Sequence, residues 1–396
     1  MRSVYKNKTF YYNKTFSYLL RVRGLGRKVL IKTVVLMGGY ATRLRPLSIT
    51  RPKPLFPILD KPILDWIVEG LKNTGIKNFI FSTKYMAHAI RKKYGDGSSL
   101  GVNIRYAHEK TPLGDAGPLR FIHKLYGLDE TFMVVNGDIF GNINYEETLK
   151  FHREKGGIAT MVLAKVKDPS RFGVVVLDDD RKITDFIEKP EAGKAPSKIV
   201  NAGVYVFEKE VIDMIPEGKR TKLARDLIPK LLQKADVYGY IHEGYWADIG
   251  SLPDFLQTSF DAIDYYYPEG YVSSDANISP KAEIIQPVYI SGNVEVKEGA
   301  SIGPYTILGE ETIVEKSARV SRSVIFPSCI IDYAAKVKNT ILGQDSIIGR
   351  WVTLEENVVV GDGVTIFDEV TVAPEVIIFP FKEIESNVSE VGKIII

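Results

Sequence analysis

The six-residue spacing of large aliphatic side chains in the last third of the chain is the feature that most restricts its fold. These side chains recur in two stretches, with the second out of phase with the first: Ile284, Ile290, Val296, Ile302, Leu308, Val314, Val320 and Phe326, then Leu342, Ile348, Leu354, Val360, Ile366, Val372 and Ile378. A small or β-branched residue often lies two positions earlier, on the same face of a strand. Turns every six residues would stack these faces, so the pattern predicts a parallel β-helix. The change of phase predicts a loop leaving the coil near 327–339.

The chain before this repeat alternates between strand-like and helix-like runs. Strands are expected over 32–37, 78–82, 103–106 and 131–135, and helices over 63–73, 87–94 and 117–125. This order predicts an α/β domain with a Rossmann-like, mostly parallel sheet and helices on both faces. We therefore expect four regions: a basic extension (1–30), an α/β catalytic domain (31–265), the repeat domain (270–385) and a tail (386–396).

Two glycines, Gly38 and Gly39, directly follow the first predicted strand, and Arg43, Arg45 and Lys53 come soon after. Paired glycines let the backbone turn sharply and expose amide groups that can hold phosphate oxygens. Nearby cations can offset the charge that develops during phosphoryl transfer. The alternative is an ordinary turn with solvated basic residues, but the whole string favours a polyphosphate site.

The string over 37–57 resembles the first motif of the sugar nucleotidyltransferases, which join a sugar 1-phosphate to a nucleoside triphosphate and release pyrophosphate. The matching positions are Gly38, Gly39, Thr42, Arg43, Leu44, Pro46, Pro52, Lys53 and Pro54. The resemblance implies that Arg43 and Lys53 are catalytic and that the nucleotide is bound by Leu36, Gly38, Gly39 and Thr42. Ala41 replaces the family's glycine. Because alanine tolerates positive φ poorly, we expect either that Ala41 is not left-handed or that the loop runs differently.

A second motif, Glu-Lys-Thr-Pro-Leu-Gly-Asp-Ala over 109–116, resembles the family's Glu-x-x-Pro-Leu-Gly-Thr-Ala, which contacts the base and ribose. The resemblance implies nucleotide binding by Glu109, Pro112, Gly114 and Asp115. Asp115 replaces threonine, and from the residues alone it could instead cap the following helix. The Gly-Pro-Leu that follows is more similar to guanylyl enzymes acting on mannose 1-phosphate than to thymidylyl enzymes.

Two separated aspartates indicate a metal site. Asp138 ends an apolar strand, and Asp248 lies in Trp-Ala-Asp-Ile-Gly. An aspartate after glycine often only forms a turn. The family, however, binds Mg²⁺ with two aspartates at these motifs, and Mg²⁺ commonly takes one or two carboxylates together with substrate phosphates. The resemblance therefore implies that Mg²⁺ is the cofactor and that Asp138 and Asp248 hold it.

Three motifs between these aspartates resemble the sugar-binding half of the family. The resemblance implies that the sugar phosphate is bound by Gly173, Glu188, Lys189 and Asn201. Carboxylate and amide groups suit sugar hydroxyls, and an ammonium group suits a phosphate.

Composition restricts the cellular compartments and the classes of partner that we expect for this protein. The only cysteine, Cys329, excludes a disulfide framework, and we expect a cytoplasmic protein. No apolar run is long enough to span a bilayer, so we expect no membrane partner. Nine of the 52 Lys and Arg residues, but none of the 49 Asp and Glu residues, lie in 1–32. We expect this extension to be disordered and not to bind nucleic acid.

We therefore predict Mg²⁺-dependent nucleotidyl transfer without a protein nucleophile, with GTP and mannose 1-phosphate as the first choice of substrates. Glucose 1-phosphate with UTP or dTTP is the second choice, and a non-catalytic paralogue that binds nucleotide sugars is the third hypothesis. The six-residue repeat resembles the left-handed hexapeptide β-helix appended to many pyrophosphorylases, so we expect the parallel β-helix to be left-handed. Hexapeptide acyltransferases use a histidine base in this fold, and no histidine follows His242. We therefore expect the repeat domain to mediate homo-oligomer assembly and regulation.

Overall fold

A computed structural model describes residues 31–109 and 111–396; the basic extension over 1–30 lies outside the described residues. The strands of the α/β part are β1 (Lys32–Met37), β2 (Pro57–Ile58), β3 (Lys61–Pro62), β4 (Asn78–Thr83), β5 (Asn103–His108), β6 (Phe132–Asn136), β7 (Ile139–Gly141), β8 (Ala159–Lys165), β9 (Gly173–Leu177), β10 (Ile183–Glu188), β11 (Ile199–Phe207), β12 (Val237–Ile241) and β13 (Trp246–Asp248). Its helices are α1 (Ile63–Asn73), α2 (Ala87–Tyr94), α3 (Gly117–Tyr126), α4 (Tyr145–Lys155), α5 (Ile228–Lys234) and α6 (Leu252–Tyr266).

The central sheet has nine strands, seven of them in the order β10-β9-β11-β6-β1-β4-β5, with β8 pairing β11 and β12. Pairing is parallel from β6 through β1 and β4 to β5, and antiparallel where β11 joins β6, β8 and β9. Alternate side chains of β1 enter two separate cores, Val35 with α1 and α2 and Val34 with α3 and α5. The Rossmann-like fold with helices on both faces is confirmed. The sheet itself is mixed, because β11 and β10 run opposite to the other strands.

The second part is a parallel β-helix built from three sheets of very short strands. The eight-stranded sheet holds β14 (Tyr271–Val272), β17 (Val288–Ile290), β20 (Thr306–Leu308), β23 (Val324–Ile325), β26 (Ile341–Leu342), β29 (Val359–Val360), β32 (Ile377–Ile378) and β34 (Ile394–Ile395). The seven-stranded sheet holds β15 (Asn277–Ile278), β18 (Glu295–Val296), β21 (Ile313–Val314), β24 (Ile330–Ile331), β27 (Ile347–Ile348), β30 (Thr365–Ile366) and β33 (Glu383–Ile384). The six-stranded sheet holds β16 (Glu283–Ile284), β19 (Ser301–Ile302), β22 (Arg319–Ser321), β25 (Lys336–Lys338), β28 (Thr353–Leu354) and β31 (Thr371–Val372).

The predicted loop at 327–339 is wrong. Paired residues on neighbouring coils are 18 positions apart in Val288↔Thr306 but 17 apart in Ile313↔Ile330. The spacing is again 17 in Ile330↔Ile347, so two successive coils are each one residue shorter. The chain continues through β24 and β25, and the two shortened turns change the phase of the repeat without any excursion. Phe326 is corrected too: Ile325 occupies the inward position, and Phe326 points out of the β-helix core.

Phe326 joins the two parts of the structure. Its ring lies 5.9 Å from that of Phe255 on α6, which in turn lies 5.6 Å from the ring of Phe56. Outward side chains of the eight-stranded sheet, including Ile341 and Val359, belong to the same buried cluster. A fragment ending near residue 268 would expose Phe255, so we expect it to be poorly soluble. In the part of the chain described here, no helix combines the length and apolarity needed to cross a membrane.

We predict that Phe326→Ala lowers the free energy of unfolding by about 3–5 kcal/mol, because it leaves a cavity in a shared core. Urea denaturation of the full chain measures this. The control is Leu125→Ala, which removes a side chain that is 50% exposed and should change stability by less than about 0.5 kcal/mol. Equal, small effects of both substitutions would show that Phe326 does not stabilise the junction.

Candidate active site

Three segments that are distant in sequence meet beyond the carboxyl ends of β1 and β6. Lys53 lies in a 3₁₀ turn, Lys53–Leu55, after β1. Its Nζ donates to Asp138 Oδ2 at 2.8 Å and lies 3.7 Å from Asp248 Oδ1. Antiparallel pairing of β7 with β13 places Asp248 opposite Ile139 and so beside Asp138. The structure thus brings together one predicted catalytic residue and both predicted metal ligands.

Gly137 makes this approach of the chains possible. Its N–H donates to Leu36 O at 2.9 Å, and a Cβ at this position would lie 2.5 Å from Met37 Cγ. Any larger residue would push the turn carrying Asp138 away from the end of β1.

The two aspartates together carry more negative charge than the single ammonium group of Lys53 offsets. Burial, and then the negative charge of Asp138, raise the pKa of Asp248 to about 6, while Lys53 and Arg43 lower it. Two carboxylates close together favour binding of a cation, since otherwise one of them tends to keep its proton. Within 31–109 and 111–396, no three or more His, Cys, Asp or Glu side chains cluster as a metal site. Two converging carboxylates still fit a hard divalent ion that takes its other ligands from water and phosphate.

Ala41, contrary to the first alternative, is left-handed, with φ 48° and ψ 41°. This conformation costs an L-residue roughly 1–2 kcal/mol. Two hydrogen bonds hold it there: Ala41 O accepts from Leu44 N at 3.0 Å and from Ser48 Oγ at 2.8 Å. The loop thus keeps the geometry that glycine would adopt without strain.

Two adjoining cavities open beside Lys53. The smaller, about 280 Å³, is lined by both predicted catalytic residues, Arg43 and Lys53, and by Thr42. The larger is about 520 Å³. Leu36, Gly39 and Asp138 line both cavities. The remaining predicted nucleotide-binding residues line the larger one: Gly38, Glu109, Pro112, Gly114 and Asp115.

The two carboxylates of the second motif shape the wall of the larger cavity. Glu109 Oε2 accepts from Leu113 N at 3.1 Å, and burial raises the pKa of Glu109. Asp115 does not cap α3, whose N-cap is Ala116 without a side-chain bond. Its Oδ1 accepts instead from Leu223 N at 2.5 Å, and burial raises the pKa of Asp115.

This wall includes cations that the sequence motifs did not indicate. Thr221 N donates to Leu113 O at 2.8 Å, and Ala116 N donates to Thr221 O at 3.0 Å. These bonds fasten Thr221 to the second motif, so that its neighbours Arg220 and Lys222 line the larger cavity, as does Lys84. Lys84 directly follows β4, so its position after a strand was a usable signal. For Arg220 and Lys222, the only signal was the basic run over 219–222.

The predicted sugar-phosphate residues lie apart from both cavities. Gly173 faces Glu188 across β9 and β10, and a Cβ on Gly173 would lie 2.4 Å from Phe186 Cζ. Lys189 N donates to Phe172 O at 3.0 Å, and Asn201 Nδ2 donates to Tyr205 OH at 2.6 Å. Neither cavity has Gly173, Glu188, Lys189 or Asn201 in its lining.

A path of contacts links one of these residues, Asn201, to the larger cavity. Asn201 Oδ1 accepts from Gly203 N at 3.0 Å. A Cβ on Gly203 would lie 2.6 Å from Asn136 Nδ2, and Asn136 lines the larger cavity. Of the predicted sugar residues, Asn201 is therefore connected to the larger cavity through Gly203 and Asn136.

Comparisons with known proteins agree with this architecture. The nucleotidyl transferase family model matches residues 32–264, and the model described as GMPPB C-terminal domain matches residues 270–395. A putative mannose-1-phosphate guanyltransferase of Sulfolobus acidocaldarius is 41% identical over 69% of this chain and 74% of its own length. Mannose-1-phosphate guanylyltransferase 1 of Arabidopsis thaliana is 31% identical over 90% of this chain and 98% of its own.

A relative named for a different reaction and a solved structure are also similar to this chain. A UTP–glucose-1-phosphate uridylyltransferase of Synechocystis is 34% identical over 75% of this chain and 83% of its own length. The crystal structure of HddC from Yersinia pseudotuberculosis, complexed with GMP-PN, has a TM-score of 0.51 and 26% identity. It covers 59% of this chain and 99% of the HddC chain.

We predict that Asp248→Asn raises the melting temperature at pH 7 in the absence of divalent cations. The raised pKa means that the folded state binds this proton more tightly than the unfolded state does. The resulting stabilisation is complete below the unfolded pKa of about 4 and is lost as the pH rises through about 6. The variant should therefore melt above wild type at pH 7, and the difference should disappear near pH 4.

The same variant should lose the stabilisation by Mg²⁺ that wild type shows, because ligand binding to the folded state raises stability. Asp179→Asn, a change at an exposed carboxylate, is the control and should behave like wild type. Undiminished stabilisation of Asp248→Asn by Mg²⁺ would remove Asp248 from the metal site.

Proposed function

The chain belongs to the nucleotidyl transferase family, and on that premise we propose that it converts GTP and mannose 1-phosphate into GDP-mannose and pyrophosphate. One observation carries the proposal: Lys53 Nζ lies within ion-pair distance of two carboxylates from separate motifs, beside two adjoining cavities. An ammonium group and a divalent-ion site at the meeting point of two cavities suit a reaction that joins two phosphate-bearing substrates.

Each substrate has a defined part in the proposed reaction. A phosphate oxygen of the sugar 1-phosphate attacks the α-phosphorus of the nucleotide in line; the bond to the β-phosphate oxygen breaks, and pyrophosphate leaves. No protein nucleophile takes part. Arg43 and Lys53, on the smaller cavity, offset the charge that develops on the phosphate oxygens. Lys84, Arg220 and Lys222 line the larger cavity with positive charge that suits the nucleotide's phosphates.

Asp138 and Asp248 are the residues that would hold Mg²⁺, which when bound neutralises phosphate charge and orients the reacting groups. Lys53 donates a hydrogen bond to one of these carboxylates and lies near the other. Lys53 therefore holds a positive charge of the protein beside both proposed metal ligands. Gly173, Glu188, Lys189 and Asn201 are proposed to bind the sugar 1-phosphate from the neighbouring strands.

The names of several relatives and the Gly-Pro-Leu sequence over 117–119 support guanine as the base and mannose as the sugar. Glucose 1-phosphate with UTP or dTTP is the second candidate, favoured by the Synechocystis relative. A non-catalytic paralogue is disfavoured because Arg43, Lys53, Asp138 and Asp248 are all present.

We also propose that the β-helix mediates homo-oligomer assembly through the outward face of its seven-stranded sheet. The eight-stranded sheet packs on the α/β part, and the six-stranded sheet carries outward Arg319 and Lys336. The seven-stranded sheet instead carries three outward isoleucines: Ile313, Ile330 and the 40% exposed Ile347. An uncovered apolar face of this kind is typical of an interface.

A reducing compartment, the cytoplasm, suits the only cysteine. Cys329 is unpaired and buried in the β-helix core, where Sγ donates to Gly343 O at 3.0 Å. Burial raises the pKa of this thiol to about 12, so the reactive thiolate is suppressed at neutral pH.

The substrate assignment is tested by measuring pyrophosphate release with Mg²⁺ across GTP, UTP, dTTP and ATP, each with mannose 1-phosphate or glucose 1-phosphate. We expect the largest kcat/KM for GTP with mannose 1-phosphate. Lys53→Ala should lower this value by at least about 100-fold, the usual cost of losing a group that stabilises transition-state charge. A larger kcat/KM for glucose 1-phosphate with UTP or dTTP would favour the second candidate, and wild-type inactivity with every pair would favour the paralogue.

The assembly surface is tested by light scattering on Ile347→Lys, which places a charge on the outward apolar face. We expect wild type to be oligomeric and the variant to have a smaller molecular mass. Thr353→Lys, on the six-stranded sheet, is the matched control and should keep the wild-type mass. A monomeric wild type, or an unchanged mass for Ile347→Lys, would contradict the proposed interface.

A further inference from the structure

The β-helix holds the loop that carries Lys53. Arg51, two residues before Lys53, forms an ion pair of 2.8 Å from its guanidinium to Asp362 Oδ2 and donates to Gln344 Oε1 at 3.0 Å. Its guanidinium also lies 4.7 Å from the centre of the Phe326 ring. The side chains of Arg51 and Asp362 are only 16% and 11% exposed. Three contacts from the β-helix therefore surround one buried cation of the loop between β1 and β2 (38–56), which we call the catalytic loop.

Asp362 has a second contact with the same loop. Its Oδ2 also accepts from Thr50 Oγ1 at 2.6 Å. Two consecutive side chains of the loop thus bond to one carboxylate oxygen of the β-helix.

The coil itself needs only the other oxygen of Asp362. Oδ1 accepts from Gln344 N, on the preceding coil, at 2.8 Å. Asp368 makes the same coil-to-coil bond, accepting from Arg350 N at 2.8 Å, but has no recorded bond to the α/β part. Comparison of the two aspartates separates the role in the coil, which they share, from the contact with the loop, which only Asp362 makes.

The backbone between Arg51 and Lys53 is short and is restrained by proline. Pro52 alone separates them, and Pro54 follows Lys53. Proline fixes φ near −65°, so fewer backbone torsions are available between Arg51 and Lys53 to absorb a displacement of Arg51. On the other side of Lys53, Phe56 packs on Phe255, which packs on Phe326. Both ends of this short turn are therefore fixed by the β-helix, directly or through one ring.

We infer that Asp362 and Arg51 are positioning residues for Lys53, so that the β-helix is a working part of the catalytic centre as well as an assembly module. Asp362 touches neither cavity beside Lys53 and acts through Arg51 and Thr50. Loss of its carboxylate leaves Arg51 buried without its counter-ion, and the loop would shift to hydrate it. Lys53 Nζ would then leave the space between Asp138 and Asp248.

The test compares Asp362→Ala with Asp368→Ala in the full chain. Both remove one coil-to-coil bond, but Asp362→Ala also leaves Arg51 without its counter-ion, so it should lower the melting temperature more than Asp368→Ala does. The kcat values are therefore compared well below both melting temperatures. Only Asp362→Ala should lower kcat, by about tenfold or more, while KM for each substrate stays within about threefold, because the loss is one of transition-state stabilisation. Equal kcat values for the two variants would overturn the inference.

Coupling to Lys53 distinguishes positioning from general destabilisation. In a Lys53→Ala background, Asp362→Ala should cause no further loss of residual activity, since the group it positions is gone. A further loss by the same factor as in wild type would mean that Asp362 acts elsewhere. If Asp362→Ala does not fold, Asp362→Asn and its control Asp368→Asn serve the same comparison.

Because the inference rests on the proposed function, it also needs a measurement independent of turnover. Lys53 is only 9% exposed, so acetic anhydride should acetylate its amine slowly in wild type. Asp362→Ala should raise the rate of Lys53 acetylation several-fold, measured by peptide mass spectrometry, and Asp368→Ala should not. If wild type is inactive but the acetylation rates differ in this way, nucleotidyl transfer is refuted and the positioning of Lys53 by Asp362 is retained. If the enzyme is active but the acetylation rates are equal, only the positioning of Lys53 by Asp362 is refuted.

Discussion

The contact of one ammonium group with two carboxylates is the interaction on which the rest of this structure depends. Asp248 ends β13 and Asp138 directly precedes β7, the strand that pairs with β13, and without a cation their charges would repel. Lys53 reaches both because the loop after β1 folds back over the sheet. The parallel strands, the β7–β13 pair and the packed loop thus converge on one charge cluster, and each is needed to bring a different member to it.

The three sheets of the β-helix carry different outward side chains, and one of the sheets packs on the α/β part that holds this charge cluster. Alternation along two-residue strands sends one side chain into the coil and its neighbour outward. On the eight-stranded sheet, outward side chains such as Ile307, Ile341 and Val359 are apolar and belong to the buried cluster of the α/β part. On the six-stranded sheet they are largely polar, and the seven-stranded sheet carries the half-buried Ile313 and Ile330 and the exposed Ile347. A simple repeat can therefore serve as a core, a support for the catalytic loop and an exposed surface.

The sequence predicts what depends on local periodicity and misses what depends on distant contacts. The hexapeptide spacing indicated the β-helix correctly, because inward residues must recur at each turn. It misplaced Phe326, because a coil shortened by one residue makes Ile325 and Phe326 equally plausible inward residues. Arg220 and Lys222 were missed because only the bonds of Thr221 bring them to the cavity. The Arg51–Asp362 pair joins positions 311 residues apart, which no spacing rule could connect.

Ala41 shows why the catalytic loop needs so many anchors. A left-handed alanine is held at a cost, and such a conformation persists only where the surrounding contacts determine it. Here Ser48 bonds to Ala41, Tyr85 OH bonds to Ser48 O, and Arg51 is tied to the β-helix. Electrostatic catalysis depends on charges that are already in place before the reaction, because reorganising them would consume the energy they supply. A loop fixed at several points along its length meets that requirement, and it explains why a residue with an unfavourable φ is tolerated so close to Arg43.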